Sequence, residues 1–408
     1  MPITHSNDRK WIVLSGLFLI YMASNGITLH TLPLLYPELI ESFGWKATQV
    51  TLPATVFFIV GALTSPPAGW LLDRFSPRKI IIIGSVLLSL ALIGVSRVQS
   101  LWQLVFIYAL LGTGLSLCGL VSNMVVLTDW FTATRGRATG ILLMASSLGG
   151  VLFPLVVGAG FTSHGWRITM LGVGVGTGAL MISSALLLLR DSPYRSTLSK
   201  REPLGANSHA FRGGLTDALK QIRFYKVLFI TGSLWFVIIA LTQHQSIYLT
   251  QDIGFSKSQL PSVFSLFFAC SVAGKLGFGI LSEHFDVNRV MAASNLTLAS
   301  ALILLTQVTV DHQMMLFAYA AIAGIGFSGA FTCIQLVVAH FYSGASYGRI
   351  LAVVILVDTL CGALGTRFVA LAREWEGSYQ NAFTGLIALT LLAALLVVSL
   401  KQEKDKAS

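Results

Sequence analysis

The sequence predicts an all-α membrane protein, with twelve transmembrane helices arranged as two pseudo-symmetric six-helix bundles. Three observations carry that expectation: composition, the length of the apolar runs, and an internal repeat. Of the 408 residues, 54% are hydrophobic and 11% are charged. A soluble domain carries about twice that charged fraction. Runs of about 18 or more mostly apolar residues recur along the whole length, each long enough to cross roughly 30 Å of hydrocarbon as a helix. Without water in that layer the backbone must satisfy its own hydrogen bonds, so such runs are helices. The shorter alternating segments of a membrane barrel are absent from the sequence.

The spans fall near 11–36, 49–72, 80–97, 102–127, 138–161, 167–189, 227–250, 261–282, 289–309, 314–339, 350–371 and 381–400. The first starts with Arg9 and Lys10 in the manner of a signal peptide, but it is too long and has no small-residue cleavage site. It is expected to stay as a helix. The basic residues are sorted by loop. With the N-terminus inside, the cytoplasmic segments hold 20 Lys and Arg residues, and the outer loops hold only Lys46, Arg97, Arg167, Lys257 and Arg373. That bias puts both termini in the cytoplasm, with the chain crossing the cell inner membrane. The net charge of +10 then reports topology and attraction to membrane lipids, and nucleic acid is not expected as a partner. Cys118, Cys270, Cys333 and Cys361 all lie in spans without metal-ligand spacing, so they read as small hydrophobes and no metal is expected.

Taken in order, the polar segments set the halves apart. Residues 191–226, rich in Arg, Lys, Ser, Gly and Pro, read as a cytoplasmic linker between an N-terminal bundle (1–190) and a C-terminal bundle (227–408). After the second span comes Gly69-Trp70-Leu71-Leu72-Asp73-Arg74-Phe75-Ser76-Pro77-Arg78-Lys79. After the eighth comes Gly279-Ile280-Leu281-Ser282-Glu283-His284-Phe285, with Arg289 closing the loop. Gly112-x-Gly114 opens the fourth span and Gly324-x-Gly326 the tenth; Trp130-Phe131 and Phe341-Tyr342 close them. Six-helix repeats related by an axis along the membrane normal are one way transporters are built. An acid at one helix end and cations at the next start could lock the bundles together as a cytoplasmic gate, formed by Gly69, Asp73, Arg74, Arg78, Lys79, Glu283 and Arg289. The alternative is charge that only sets topology.

At the Gly69–Lys79 loop the sequence resembles the major facilitator superfamily, with Ser76 in place of the usual glycine. A narrower similarity is to the monocarboxylate transporter and oxalate:formate antiporter group. It is carried by Trp130-Phe131 followed by Arg135-Gly136-x-Ala138-x-Gly140-Ile141, by Asp8, Trp11, Asn25-Gly26 and Glu38, and by Gly274-Lys275-x3-Gly279. The resemblance implies proton-linked or exchange transport of small carboxylates. In that group an arginine usually stands where Lys275 does, an acid precedes it by a turn where Ser271 stands here, and a first-helix lysine falls close to His30.

Ionisable groups inside spans are costly, at about 2.5–3.5 kcal/mol each on insertion scales, and therefore mark sites or structural pairs. Lys275 and Asp358 lie at similar depth from the cytoplasmic end of their spans. Lys275 would receive a substrate carboxylate and Asp358 would exchange a proton; a structural pair between neighbouring helices is the alternative. His30 offers a second proton-linked group near physiological pH, or else an interior hydrogen-bonded imidazole. His244, between Gln243 and Gln245, is expected to line the cavity. Asn123 and Gln335 occupy equivalent places in the two halves, to bind substrate or to tie helices.

The function these residues favour is secondary active transport of a small organic anion, a monocarboxylate or related carboxylate, by alternating access with proton symport. Anion exchange, movement of a larger hydrophobic solute such as a drug or siderophore, and a transporter-like receptor are the alternatives. The working unit is expected to be a monomer whose partners are the organic anion, protons and lipid. No Walker loop occurs, so ATP is not expected to drive transport directly; neither an enzyme nor a cofactor is expected. Gly172-x-Gly174-x-Gly176-x-Gly178 lies in a span without a preceding strand and reads as helix packing.

Overall fold

The computed structural model describes residues 4–131, 134–191, 214–342 and 347–400; the side chains of residues 4–8, Asp73, Arg135, Gly136, Tyr347 and Gly348 are outside that description. Among the described residues there is no strand. The elements are α1 (Thr4–Thr28), a 3₁₀ turn (Leu32–Leu35), α2 (Tyr36–Phe43), α3 (Ala47–Arg74), α4 (Pro77–Val95), α5 (Leu101–Cys118), α6 (Leu120–Trp130) and α7 (Arg135–Leu187). There follow α8 (Leu215–Leu219), α9 (Ile222–Ile247), a π-helical turn (Tyr248–Ile253), α10 (Leu260–His284), α11 (Val287–Leu305), α12 (Gln313–Tyr342), α13 (Tyr347–Glu376) and α14 (Gln380–Val398).

α7 runs for 53 residues, which at 1.5 Å per residue is more than twice the thickness of a bilayer core. It is two helices. Gly165 sits at φ 75° and ψ 162°, a backbone conformation closed to residues with a side chain. Beyond it the chain turns back, since a Cβ on Gly160 would come within 2.5 Å of Thr169. Arms 135–164 and 166–187 are therefore the fifth and sixth spans, and the described helices make twelve crossings.

Two spans are broken where the sequence reads straight through. The first ends at Thr28 and resumes, after Pro33 sets a 3₁₀ turn, as α2. The fourth is interrupted at Gly119 (φ −82°, ψ −150°). There Asn123 Nδ2 donates to the carbonyls of Cys118 and Gly119, both at 2.7 Å, and so satisfies groups that the break would leave bare.

The chain forms two compact units. One comprises residues 1–201 with 242–269, the other residues 202–241 with 270–408. In the first, residues 242–269 pack on the break after α1, on α2 and on α7, as described below. The glycine run in α7 does pack: a Cβ at Gly174 would press on Leu92 and Ile93 of α4, and Ser89 Oγ donates to the Gly174 carbonyl at 2.8 Å.

The loop repeat has a structural counterpart that its acid–base spacing does not reveal. Ser76 caps the N-terminus of α4 and Asp286 caps that of α11, accepting from Asn288 N and Arg289 N. Two residues beyond each cap, a side chain reaches the carboxyl end of another helix of its own unit, α7 in the first and α14 in the second. Arg78 donates from Nε to Ala185 O at 3.0 Å and from Nη2 to Leu186 O at 2.5 Å. Asn288 Nδ2 donates to Leu400 O at 2.9 Å. Helix ends leave such carbonyls without intrahelical partners, and a cation there also opposes the helix dipole. Arg78→Ala is expected to lower the detergent-solubilised melting temperature by a few degrees, from a loss of about 1–2 kcal/mol. An unchanged melt would show that water replaces the guanidinium at no cost.

Candidate functional site

In the second unit, a cation, two aromatic rings and a buried acid are positioned by close helix contacts. α10 meets α12 where Gly274 leaves room for Ser328 and Ile325, and one turn on Phe278 fills the space beside Gly329. Small residues at a membrane helix crossing let backbones approach this closely. Lys275, next to Gly274, therefore projects toward α12, with Nζ 5.6 Å from the ring centroid of Phe331. Phe331 in turn packs on Trp235 of α9, centroids 5.9 Å apart at 61°. Gln335 lies one turn beyond Phe331 on α12 and is half-buried, as are Lys275, Phe331 and Trp235.

α13 meets α9 through the space left by Gly232, Gly362 and Gly365, which take Cys361, Ile239 and Phe236 as neighbours. That contact carries Asp358 inside. The carboxyl is 1% exposed, and neither oxygen has a hydrogen-bond donor among the described residues. Thr231 lies alongside, but its hydroxyl is directed to Leu228 O at 3.4 Å. Lys275 and Asp358, expected at similar depth, are thus not joined by a hydrogen bond.

In the first unit, His30 falls in the break after α1. Its Nε2 is 2.9 Å from Ser146 Oγ on α7, and its ring centroid is 4.0 Å from that of Phe268. Asn123 is fully buried at the Gly119 break, its Oδ1 without a partner among the described residues. His244 is fully buried, one residue beyond Gln243; Gln243 Oε1 accepts from the Tyr36 hydroxyl at 2.5 Å.

That hydroxyl belongs to a seam absent from the sequence reading. Ser246 Oγ donates to Pro33 O at 2.6 Å, and Ser265 Oγ to Val151 O at 2.9 Å. Lys257 Nζ reaches Glu38 at 3.2 Å and also bonds Glu41. α10 lies against the first arm of α7 through two notches: Phe268 occupies the space beside Gly150, and Pro261 that beside Gly158, where a Cβ would overlap either ring. Gly158→Leu should force this seam apart and hold it open. The check is cysteine cross-linking between positions 38 and 257, expected to fall severalfold; undiminished cross-linking would mean the notch does not control the contact.

Of the residues assigned to a gate, Arg78 is engaged as above and Arg74 stacks over Trp70 at 4.3 Å. Glu283 is in the last turn of α10, Lys79 and Arg289 are in the first turns of α4 and α11, and Gly69 has open space beside its Cα. Asp73 lies outside the residues whose side chains are described. Among the described residues no group of three His, Cys, Asp or Glu side chains could hold a metal ion.

The Major Facilitator Superfamily description matches residues 13–251 and 245–408. An uncharacterized MFS-type transporter of Bacillus subtilis, YcxA, is 21% identical over 407 residues, covering 98% of both chains. A gallate transporter of Pseudomonas putida is 23% identical over 82% of this chain and 79% of that one. Among solved structures, an inward-facing, unoccupied bacterial homologue of the human lysosomal transporter Spinster superposes with a TM-score of 0.69. It is 18% identical, covering 98% of this chain and 94% of that one.

Proposed function

The chain belongs to the major facilitator superfamily, and we propose that it is a proton-coupled transporter of a small organic anion, a monocarboxylate or related carboxylate, working by alternating access in the inner membrane. The observation that carries this reading is the occurrence, within one unit, of a half-buried cation directed at an aromatic wall and a separate, buried acid whose oxygens meet no hydrogen-bond geometry among the described residues. A cation set against an aromatic wall, with no hydrogen bond to that acid, suits a carboxylate. An ionised carboxyl without donors would cost several kcal/mol in such a setting. Asp358 is therefore best suited to carrying a proton, and Lys275 to carrying the substrate's charge.

His30, at the break in the first span, is the second proton-linked group in this reading, and Gln335 adds an amide one turn along α12 from Phe331. In this reading the turns at Gly69–Lys79 and Glu283–Arg289 are each gate elements on the cytoplasmic side, and the Lys257–Glu38 seam is a closure on the outer side of the first unit. The bias of basic residues among the loops supports a topology with both termini in the cytoplasm. That the related Pseudomonas protein is a gallate transporter agrees with an organic acid as cargo.

The test is uptake of a panel of radiolabelled carboxylates, with a neutral hydrophobic solute for comparison, into proteoliposomes. Saturable uptake of at least one carboxylate is expected; uptake of the neutral solute alone would replace this reading with that of a drug-type transporter.

A further inference from the structure

We propose that Trp235 and Phe331, with Lys275, select carboxylates borne on an aromatic ring. The proposal rests on the reading of the chain as a carboxylate transporter and names the class of acid.

Where these side chains open is decided by their helices. α9 exposes no side chain from residue 230 to 250, and α12 none from 319 to 342, whereas lipid-facing positions elsewhere are far more open, as at Leu63 (65%) and Leu395 (72%). Helices without a lipid-facing surface are interior helices, so their half-buried side chains are turned to the protein interior and not to lipid. An interfacial anchor is the ordinary role of a membrane tryptophan. Trp235 is unsuited to it: thirteen residues after the start of α9, it is about 20 Å along the helix, in the middle of the bilayer.

The order of the groups is ammonium, ring, ring. Nζ of Lys275 is 5.6 Å from the Phe331 centroid, and that centroid is 5.9 Å from Trp235. The first distance is about the reach from an ammonium, through a hydrogen-bonded carboxylate, to the centre of a ring attached to it. An aromatic acid held by Lys275 would thus bring its ring beside Phe331 and Trp235, where edge-to-face or offset stacking adds to plain burial. A short aliphatic acid held by the same lysine would leave both rings uncovered. Gln335, one turn along α12 from Phe331, offers an amide to a polar ring substituent.

Benzoate and cyclohexanecarboxylate separate the contributions, since both carry one carboxylate on a six-carbon ring and only one ring is aromatic. Proteoliposomes of the full chain are assayed for uptake of each, and of propionate, in wild type, Trp235→Leu, Trp235→Phe and Phe331→Leu. In wild type, kcat/KM for benzoate is expected to exceed that for cyclohexanecarboxylate by about tenfold, the effect of one to two aromatic contacts. Trp235→Leu and Phe331→Leu should each cut the ratio to about twofold or less, and Trp235→Phe should restore most of it. Equal values for the two acids in wild type overturn the proposal even if every leucine variant is inactive. So does an undiminished ratio in an active Trp235→Leu protein. Both outcomes leave carboxylate transport standing, provided propionate or either ring acid is carried; transport of none of them removes the two readings together.

Discussion

Lys275→Gln should abolish saturable carboxylate uptake, by roughly a hundredfold or more in kcat/KM, while the protein still inserts and remains monodisperse. Removing one member of a buried, hydrogen-bonded charge pair costs about 2–5 kcal/mol, and here the other member is the substrate. Folding is expected to survive because Lys275 Nζ has no hydrogen bond to Asp358, so its loss takes no hydrogen bond from that buried acid. Lys275→Arg should retain partial activity: the charge persists, but a planar fork replaces a compact ammonium against Phe331. Full uptake by Lys275→Gln would separate the lysine from substrate binding altogether.

Asp358→Asn is expected to lose accumulation driven by a pH gradient yet to keep exchange of labelled for unlabelled substrate, because exchange moves no net proton. The amide is close in size to the neutral acid and asks little of the space between α13 and α9. Loss of both activities would assign Asp358 to structure. The double variant Lys275→Gln/Asp358→Asn discriminates further. If the two residues were a structural pair, each single variant would strand a charge and the double would recover folding and transport. The structure leads to the opposite expectation, no recovery, because the carboxyl oxygens have no donor to lose.

Much of the fold was legible because the bilayer makes it so. A run long enough to cross hydrocarbon has to be a helix, whatever its neighbours, and the loop motifs at Gly69 and Gly279 repeat openly. The breaks were less legible. Leu32–Leu35 and Gly119 are as apolar as the helices around them, so hydropathy passes over both; Pro33 and Gly119 were the available signals. Cap residues were missed for a different reason. Ser76 and Asp286 occupy matching places in the repeat, as do Arg78 and Asn288, but attention to acid and base pairs conceals a match between serine and aspartate.

At the site, sequence alone picked out the ionisable residues, since a charge in a membrane span is conspicuous. It did not pick out Trp235 or Phe331, which look like any other aromatic residue in an apolar run. Nothing in local spacing brings together residues 235, 275 and 331; the contact depends on α10 approaching α12 at Gly274. Lys257 with Glu38 and Glu41 was hidden likewise, as three loop charges of the kind that are usually solvated.

The most direct measurement of the central claim is proton movement coupled to substrate. Proteoliposomes with a pH-sensitive dye in the lumen are given an external carboxylate at equal internal and external pH, and the protein-free rate is subtracted. Lumenal acidification that saturates with carboxylate, and disappears in both Lys275→Gln and Asp358→Asn, is the expected result. Saturable carboxylate entry with no acidification beyond the protein-free rate would contradict proton-coupled transport.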